Sequence, residues 1–318
     1  MAEPSNTSTA SDGDVATGVP PKPERRSLQV NLRMGEALLL EESVHITSRT
    51  RTRLIVVAGP AGSGKTTLMA SLFHLFMKGP FAGYLFAGSD TLPGFDHRCY
   101  LARTDSGRDA MDTDRTRPGE ERLLLHLPVR KESLTEPIRE LLFFDLSGED
   151  YKELNNSPSD CVRAPFVKRA DHFVLVLDGT ELASQEKRES SKLNSLMLLR
   201  SCLDSGQLDD TSLIEVVITK LDELKPRPDA PATDPQFLAT LKAEVTDRFA
   251  SRVGNLLITE VAARAKTPDY PLGFGLDALF PLWVEELPRT RKAAKVPPST
   301  DMSEYDSYAR RYIILTGA

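Results

Sequence analysis

Short, continuous apolar runs alternate along this chain with longer stretches whose apolar positions recur every three to four residues. The runs at 54–58, 122–129, 141–145, 172–178, 213–219 and 256–262 are rich in Val, Ile, Leu and Phe. Such runs predict strands buried on both faces. Between them, 65–77, 184–203, 235–251 and 276–286 carry apolar residues at helical spacing. Strand and helix in regular alternation predict an α/β fold in three layers, with a mainly parallel sheet covered by helices. The step from 122–129 to 141–145 is short and has no helix between its strands. It predicts a hairpin, and therefore one antiparallel strand. No internal repeat is visible.

The flanks have a different texture. Residues 1–27 are rich in Ser, Thr, Pro, Gly and Asp and include Pro20, Pro21 and Pro23, which predicts a disordered tail. The segment 28–46 predicts a strand or short helix leading into a core domain that ends near 287, and 288–318 forms a polar extension. Inside the domain, 78–117 separates the first helix from the second strand. This insertion is rich in Gly, Asp and Arg but also carries Phe81, Tyr84, Phe86, Phe95 and Tyr100, which predicts a packed lid.

Composition narrows the function classes. With 318 residues, 40% of them hydrophobic, the chain can bury a large core. A net charge of −6 leaves no electrostatic footprint for nucleic acid, and the clusters Arg51-Thr-Arg53 and Arg289-Thr-Arg-Lys292 read as solvated flanks. Three cysteines without metal-ligand spacing fit reduced thiols. The first residues lack the apolar core of a signal sequence, and no apolar run is long enough to span a bilayer. The expectation is a cytoplasmic protein without a transmembrane segment.

Gly59-Pro60-Ala61-Gly62-Ser63-Gly64-Lys65-Thr66 matches G-x-x-x-x-G-K-[ST] between the run 54–58 and the helical stretch that follows. In that context the pattern predicts a loop whose successive N–H groups surround a β-phosphate, aided by the helix N-terminus. Lys65 would reach the β- and γ-phosphates, the Thr66 hydroxyl would coordinate Mg²⁺, and Thr67 would join the phosphate contacts.

Asp145 ends a buried strand and opens Asp-x-x-Gly, so it would hold Mg²⁺ through a water, and the Gly148 N–H would sense a γ-phosphate. Thr219-Lys220-Leu221-Asp222 ends another strand and matches [NT]-K-x-D. A carboxylate at Asp222 accepts from the N1–H and amine of guanine, whereas adenine would leave it unpaired at a cost of several kcal/mol. The Lys220 stem would pack along the purine, and Ala263 and Arg264 would bring backbone N–H groups to the guanine carbonyl.

These motifs together resemble the translation-factor-related (TRAFAC) class of P-loop GTPases, with a Ras-like core over about 53–287. The strings 86–95, 123–128, 145–149 and 169–178 resemble the bacterial double-GTPase family, which is associated with conflict or defence systems. The resemblance implies a second copy or another chain as partner, because one set of motifs is present. It also implies a switch threonine, with Thr116 the first candidate and Thr113 the second, bound to Mg²⁺ and the γ-phosphate. Many GTPases place Gln after Asp-x-x-Gly to orient water, but this chain has Glu149. An added negative charge beside a charged transition state predicts slow hydrolysis; Arg108, Arg115 and Arg117 flank the switch candidates and could act on it in cis, the alternative being surface arginines of the loop. The expectation is a GTP/GDP switch that recruits protein effectors. The alternatives are a non-hydrolysing GTP-dependent scaffold and an ATPase or P-loop kinase.

Overall fold

The computed structural model describes residues 37–101, 123–134, 136–224, 235–285 and 303–304. The candidates Thr113, Thr116, Arg108, Arg115 and Arg117 lie outside the described residues. Among those described, eight strands form one sheet: β1 (Leu38–Leu39), β2 (Thr52–Ala58), β3 (Tyr84–Phe86), β4 (Leu123–Lys131), β5 (Arg139–Asp145), β6 (His172–Asp178), β7 (Leu213–Thr219) and β8 (Asn255–Glu260). Their order is β1-β4-β5-β2-β6-β7-β8, with β3 also paired to β4. Every pairing among β5, β2, β6, β7 and β8 is parallel, while β4 is antiparallel to β5, β1 and β3. One strand, β4, therefore runs against all the others.

The continuous apolar runs are explained by burial on both sides. In β2, Leu54, Val56 and Ala58 face one core and Ile55 and Val57 face the other. In β5, Leu142 and Phe144 join the first core, and Leu141 and Phe143 join the second. The first face is covered by α4 (Gly148–Asn156), α5 (Pro158–Val162), α6 (Pro165–Arg169), α7 (Gly179–Ala183), α8 (Arg188–Asp204) and α9 (Pro235–Phe249). The second is covered by α2 (Lys65–Lys78), α3 (Leu92–Leu101) and α10 (Leu276–Val284). A remaining short helix, α1 (Val44–Thr47), follows β1. Segment 37–47 thus supplies both a strand and a helix.

The helix between 148 and 156 has a local cause that hydrophobic periodicity does not register. Ser147 accepts a hydrogen bond from the Asp150 N–H at 3.0 Å, capping α4. Ser157 does the same for Asp160 at 3.3 Å, and Pro158 occupies the first turn of α5. Each is a Ser-x-x-Asp cap that satisfies an otherwise orphan donor. The stretch expected at 184–203 instead starts at Arg188, after α7 and an extended Ser184.

The described part of the insertion is built into the core rather than laid over it. Phe95 stacks on Phe73 of α2 at 4.8 Å, and Phe76 and Tyr84 meet Phe280 of α10 edge-on at 5.3 and 5.6 Å. The entry to α3 is tied to the reversed strand. Ser89 Oγ donates to the His126 carbonyl at 2.6 Å, and the Asp90 N–H donates to His126 Nδ1 at 3.1 Å. Arg53 also departs from its expected place on a solvated flank. Its Nη1 donates to the Glu285 carbonyl at 2.6 Å, closing the C-terminal end of α10, where a cation is favoured.

Trp283, the single tryptophan, is fully buried against Phe143 of β5 at 5.5 Å. Phe143→Ala should lower stability by about 3–5 kcal/mol through the cavity it leaves. Denaturant unfolding followed by Trp283 emission measures this, and an unshifted midpoint would contradict the packing.

Candidate functional site

All five parallel strands point their C-terminal ends to the same edge, and the polar motifs lie there. The connection leaving β2 runs over one face through α2, and that leaving its neighbour β5 runs over the other through α4–α6. Such a divergence opens a crevice at strand ends, the usual ligand position in an open α/β sheet. The phosphate-loop pattern fills it. Gly62 and Gly64 take left-handed φ values of +77° and +91°, which a side chain would strain. Alternating peptide orientations of this kind form an anion-binding concavity.

Lys65, in the first turn of α2, is buried, and its Nζ donates to the carbonyls of Gly59 at 2.9 Å and Pro60 at 3.1 Å. The Thr66 hydroxyl donates to Asp145 Oδ2 at 2.7 Å, joining α2 to the end of β5. Thr67 is half-buried in the same turn, and Ala61 and Gly62 form the exposed rim. Gly148 starts α4 directly against the loop, where an added Cβ would stand 2.7 Å from Ala61 Cβ. Glu149 lies in the first turn of that helix.

The third motif docks on the first. Thr219 Oγ1 donates its single proton to the Ser63 carbonyl at 2.6 Å, with the Leu177 carbonyl farther off at 3.1 Å. Lys220 adopts a left-handed φ of +51°, and its Nζ donates to the Gly62 carbonyl at 2.7 Å and to Asp178 Oδ2 at 2.9 Å. Asp222 is buried in the 3₁₀ turn Leu221–Leu224, and its Oδ2 accepts from the Lys266 N–H at 3.0 Å. The Lys266 ammonium pairs with Glu223 at 2.9 Å, so one residue clamps the turn at two points.

Ala262 and Ala263 sit opposite, pinned by bonds from the Ala262 N–H to the Phe274 carbonyl and from the Gly273 N–H to the Ala263 carbonyl. The Arg264 guanidinium meets His74 Nδ1 of α2 at 3.1 Å. The structure thus assembles 59–67, Asp145, Gly148, Thr219, Lys220, Asp222 and Ala263 from elements far apart in the chain.

Asp178, Glu223 and Lys266 were not anticipated. Asp178 had a legible signal, because it ends an apolar strand in the same way as Asp145. Lys266 had none, since its main role is played by a backbone N–H.

The strand–loop–helix unit, the strand-end Asp-x-x-Gly and the docked Thr-Lys-x-Asp turn define the P-loop GTPase class. The sequence model of the Double-GTPase 2 family matches residues 53–284, and the chain belongs to that family. No curated protein matches the chain. Similar solved structures include the signal recognition particle receptor SRb-GTP/SRX complex from Chaetomium thermophilum, at 14% identity and TM-score 0.39, covering 74% of this chain and 97% of that one. The S. cerevisiae Ski7 GTPase-like domain bound to GTP is similar at 13% identity and TM-score 0.42, covering 76% of this chain and 51% of that one. The bacterial selenocysteine-specific elongation factor EF-Sec is similar at 16% identity and TM-score 0.33, covering 67% of this chain and 26% of that one. The chain therefore spans about half of the Ski7 chain and about a quarter of the EF-Sec chain. Among the described residues no helix is long and apolar enough to cross a membrane.

Gly148→Ala should cost about 1–3 kcal/mol, the range for overpacking. Adding Ala61→Gly should recover part of it, because the Cβ of Ala61 is the nearest obstacle. Thermal unfolding of the single and double variants tests this, and a neutral Gly148→Ala would refute the close approach.

Proposed function

We propose that the protein is a guanine-nucleotide switch that binds GTP with Mg²⁺ and hydrolyses it slowly to GDP and phosphate. The observation that carries this reading is the docking of the Thr219–Asp222 turn on the phosphate loop, through Thr219 to Ser63 and Lys220 to Gly62. It supports this reading because the docking would hold a base-reading carboxylate at a set distance from a phosphate cradle. Asp222, buried and oriented by Lys266, would accept from the guanine edge, with the Lys220 stem along the ring and Ala263 and Arg264 offering backbone to the carbonyl. Gly59–Thr67 and Gly148 would hold the phosphates.

The Thr66 hydroxyl and Asp145 carboxylate form a hard oxygen pair at 2.7 Å, which fits Mg²⁺. Among the described residues no cluster of three or more His, Cys, Asp or Glu could hold a metal ion, so a metal at this pair would take the rest of its shell mainly from phosphate and water. Bound there, Mg²⁺ would neutralise charge on the β- and γ-oxygens, with Thr116 as a further ligand. Hydrolysis would add water at the γ-phosphorus and break its bond to the bridging oxygen. Lys65 would stabilise the oxygens, and Glu149 would position water less favourably than a neutral side chain. Glu149 is also the feature that favours the second reading, a GTP-dependent scaffold.

The association with bacterial conflict systems suggests that the switch recruits effectors or a second GTPase, and a cytoplasmic setting suits that role. Its readout would be the reordering of Arg108–Thr116 and Gly148–Ser157 around the γ-phosphate.

Labelled GTP should be displaced by GTP but not by ATP. Lys65→Ala should remove triphosphate binding, and Asp222→Asn should shift preference toward xanthine nucleotides; equal competition by ATP would sink the guanine assignment. Single-turnover hydrolysis should exceed the rate in water while staying slow, and phosphate release no faster than in water would leave the scaffold reading.

A further inference from the structure

We infer that Asp178 is a positioning residue of the nucleotide site, holding Lys220 where its stem meets the base. The inference rests on the proposed function, since it assigns how that site is kept in order. Asp178 ends β6 opposite Thr219 in the parallel register of β6 and β7. Its carboxylate divides two tasks between its oxygens: Oδ1 accepts from the Thr180 N–H at 2.9 Å, capping α7, and Oδ2 accepts from Lys220 Nζ at 2.9 Å. The pair is only partly solvated, with the Asp178 side chain 9% exposed and that of Lys220 34%. Charge-assisted bonds in such surroundings are roughly twice as strong as neutral ones.

Lys220 needs this restraint. Its left-handed backbone is uncommon for a residue with a Cβ, so the surrounding contacts must over-determine it. The ammonium is fixed at two points, Gly62 on the phosphate loop and Asp178 on the neighbouring strand. Removing the second leaves a long flexible side chain tethered by one bond.

Gly179 provides an independent reason to see the contact as built. An added Cβ there would stand 2.2 Å from the Thr219 carbonyl and 2.7 Å from that of Lys220. The turn after β6 is thus pressed against the backbone of the motif itself, and only glycine permits the approach that brings Asp178 into reach. Asp178 touches no reacting atom in this arrangement; it acts through Lys220.

The test is a double-variant cycle on the full chain, read as the dissociation rate of a fluorescent GDP analogue. Asp178→Asn keeps an oxygen to cap α7 but replaces the charged partner of Lys220. With that oxygen on the Thr180 N–H, the amide NH2 cannot accept from the Lys220 ammonium, so release should speed about tenfold, as expected for the loss of one bond to a charged group, with little change in thermal midpoint. In a Lys220→Met background the same substitution should add nothing, because the ammonium it acts on is gone. Release at the wild-type rate would overturn the inference, as would an equal acceleration in the Lys220→Met background. If Asp178→Asn does not fold, Asp178→Ser, which also keeps a capping oxygen, enters the same cycle. Failure of the wild-type protein to bind any guanine nucleotide would instead sink the proposed function, a distinguishable result.

Discussion

Four carbonyls of one loop need donors, and much of the site follows from where those donors come from. Gly59 and Pro60 receive Lys65, Gly62 receives Lys220, and Ser63 receives Thr219. A peptide whose carbonyl points to such a partner presents its N–H on the other side. Of these four peptides, that of Gly59 has no N–H because Pro60 follows it, and that of Gly62 gives its N–H, on Ser63, to the Pro60 carbonyl; those of Pro60 and Ser63 carry the Ala61 and Gly64 N–H groups, the donors an anion would use. Without the strand-end residues of β7 the same glycine-rich segment would have many conformations and no fixed concavity.

This requirement explains the parallel sheet around it. Thr219 can reach Ser63 only because β7 and β2 end at the same edge, separated by β6. The reversed strand β4 stands outside that set and carries a structural task, pairing with the short strands β1 and β3 and anchoring the start of α3 through His126. Charges at the edge alternate, with Lys65, Lys220 and Lys266 each set beside carbonyl or carboxylate oxygen. The site is thus polar without collecting one sign of charge.

Much of this was legible in the chain. Doubly buried strands write themselves as continuous Val, Ile and Leu, and each polar motif follows such a run, so the sheet and the three motifs could be read directly. Helices α4 and α5 could not be found by apolar spacing, because they are short and their starts are set by Ser147 and Ser157 caps; those caps were present in the sequence as Ser-x-x-Asp. The aromatics of the insertion announced packing, but not that it would be against α2 and α10 rather than over the site. Lys266 was out of reach for a simpler reason: a backbone N–H has no signature in residue type.

The bonds that close the phosphate loop also have a bearing on how the chain reaches this state. Thr219 and Lys220 lie 156 and 158 residues from their loop partners, whereas β4 and β5 are joined by one short turn. Loop closure over long sequence separations is slow relative to local pairing. The hairpin is thus favoured to form early, and the nucleotide cradle closes only when β7 has been added beyond β6. Competence to hold a phosphate then follows the hairpin, so a bound nucleotide would mark a chain folded at least as far as β7.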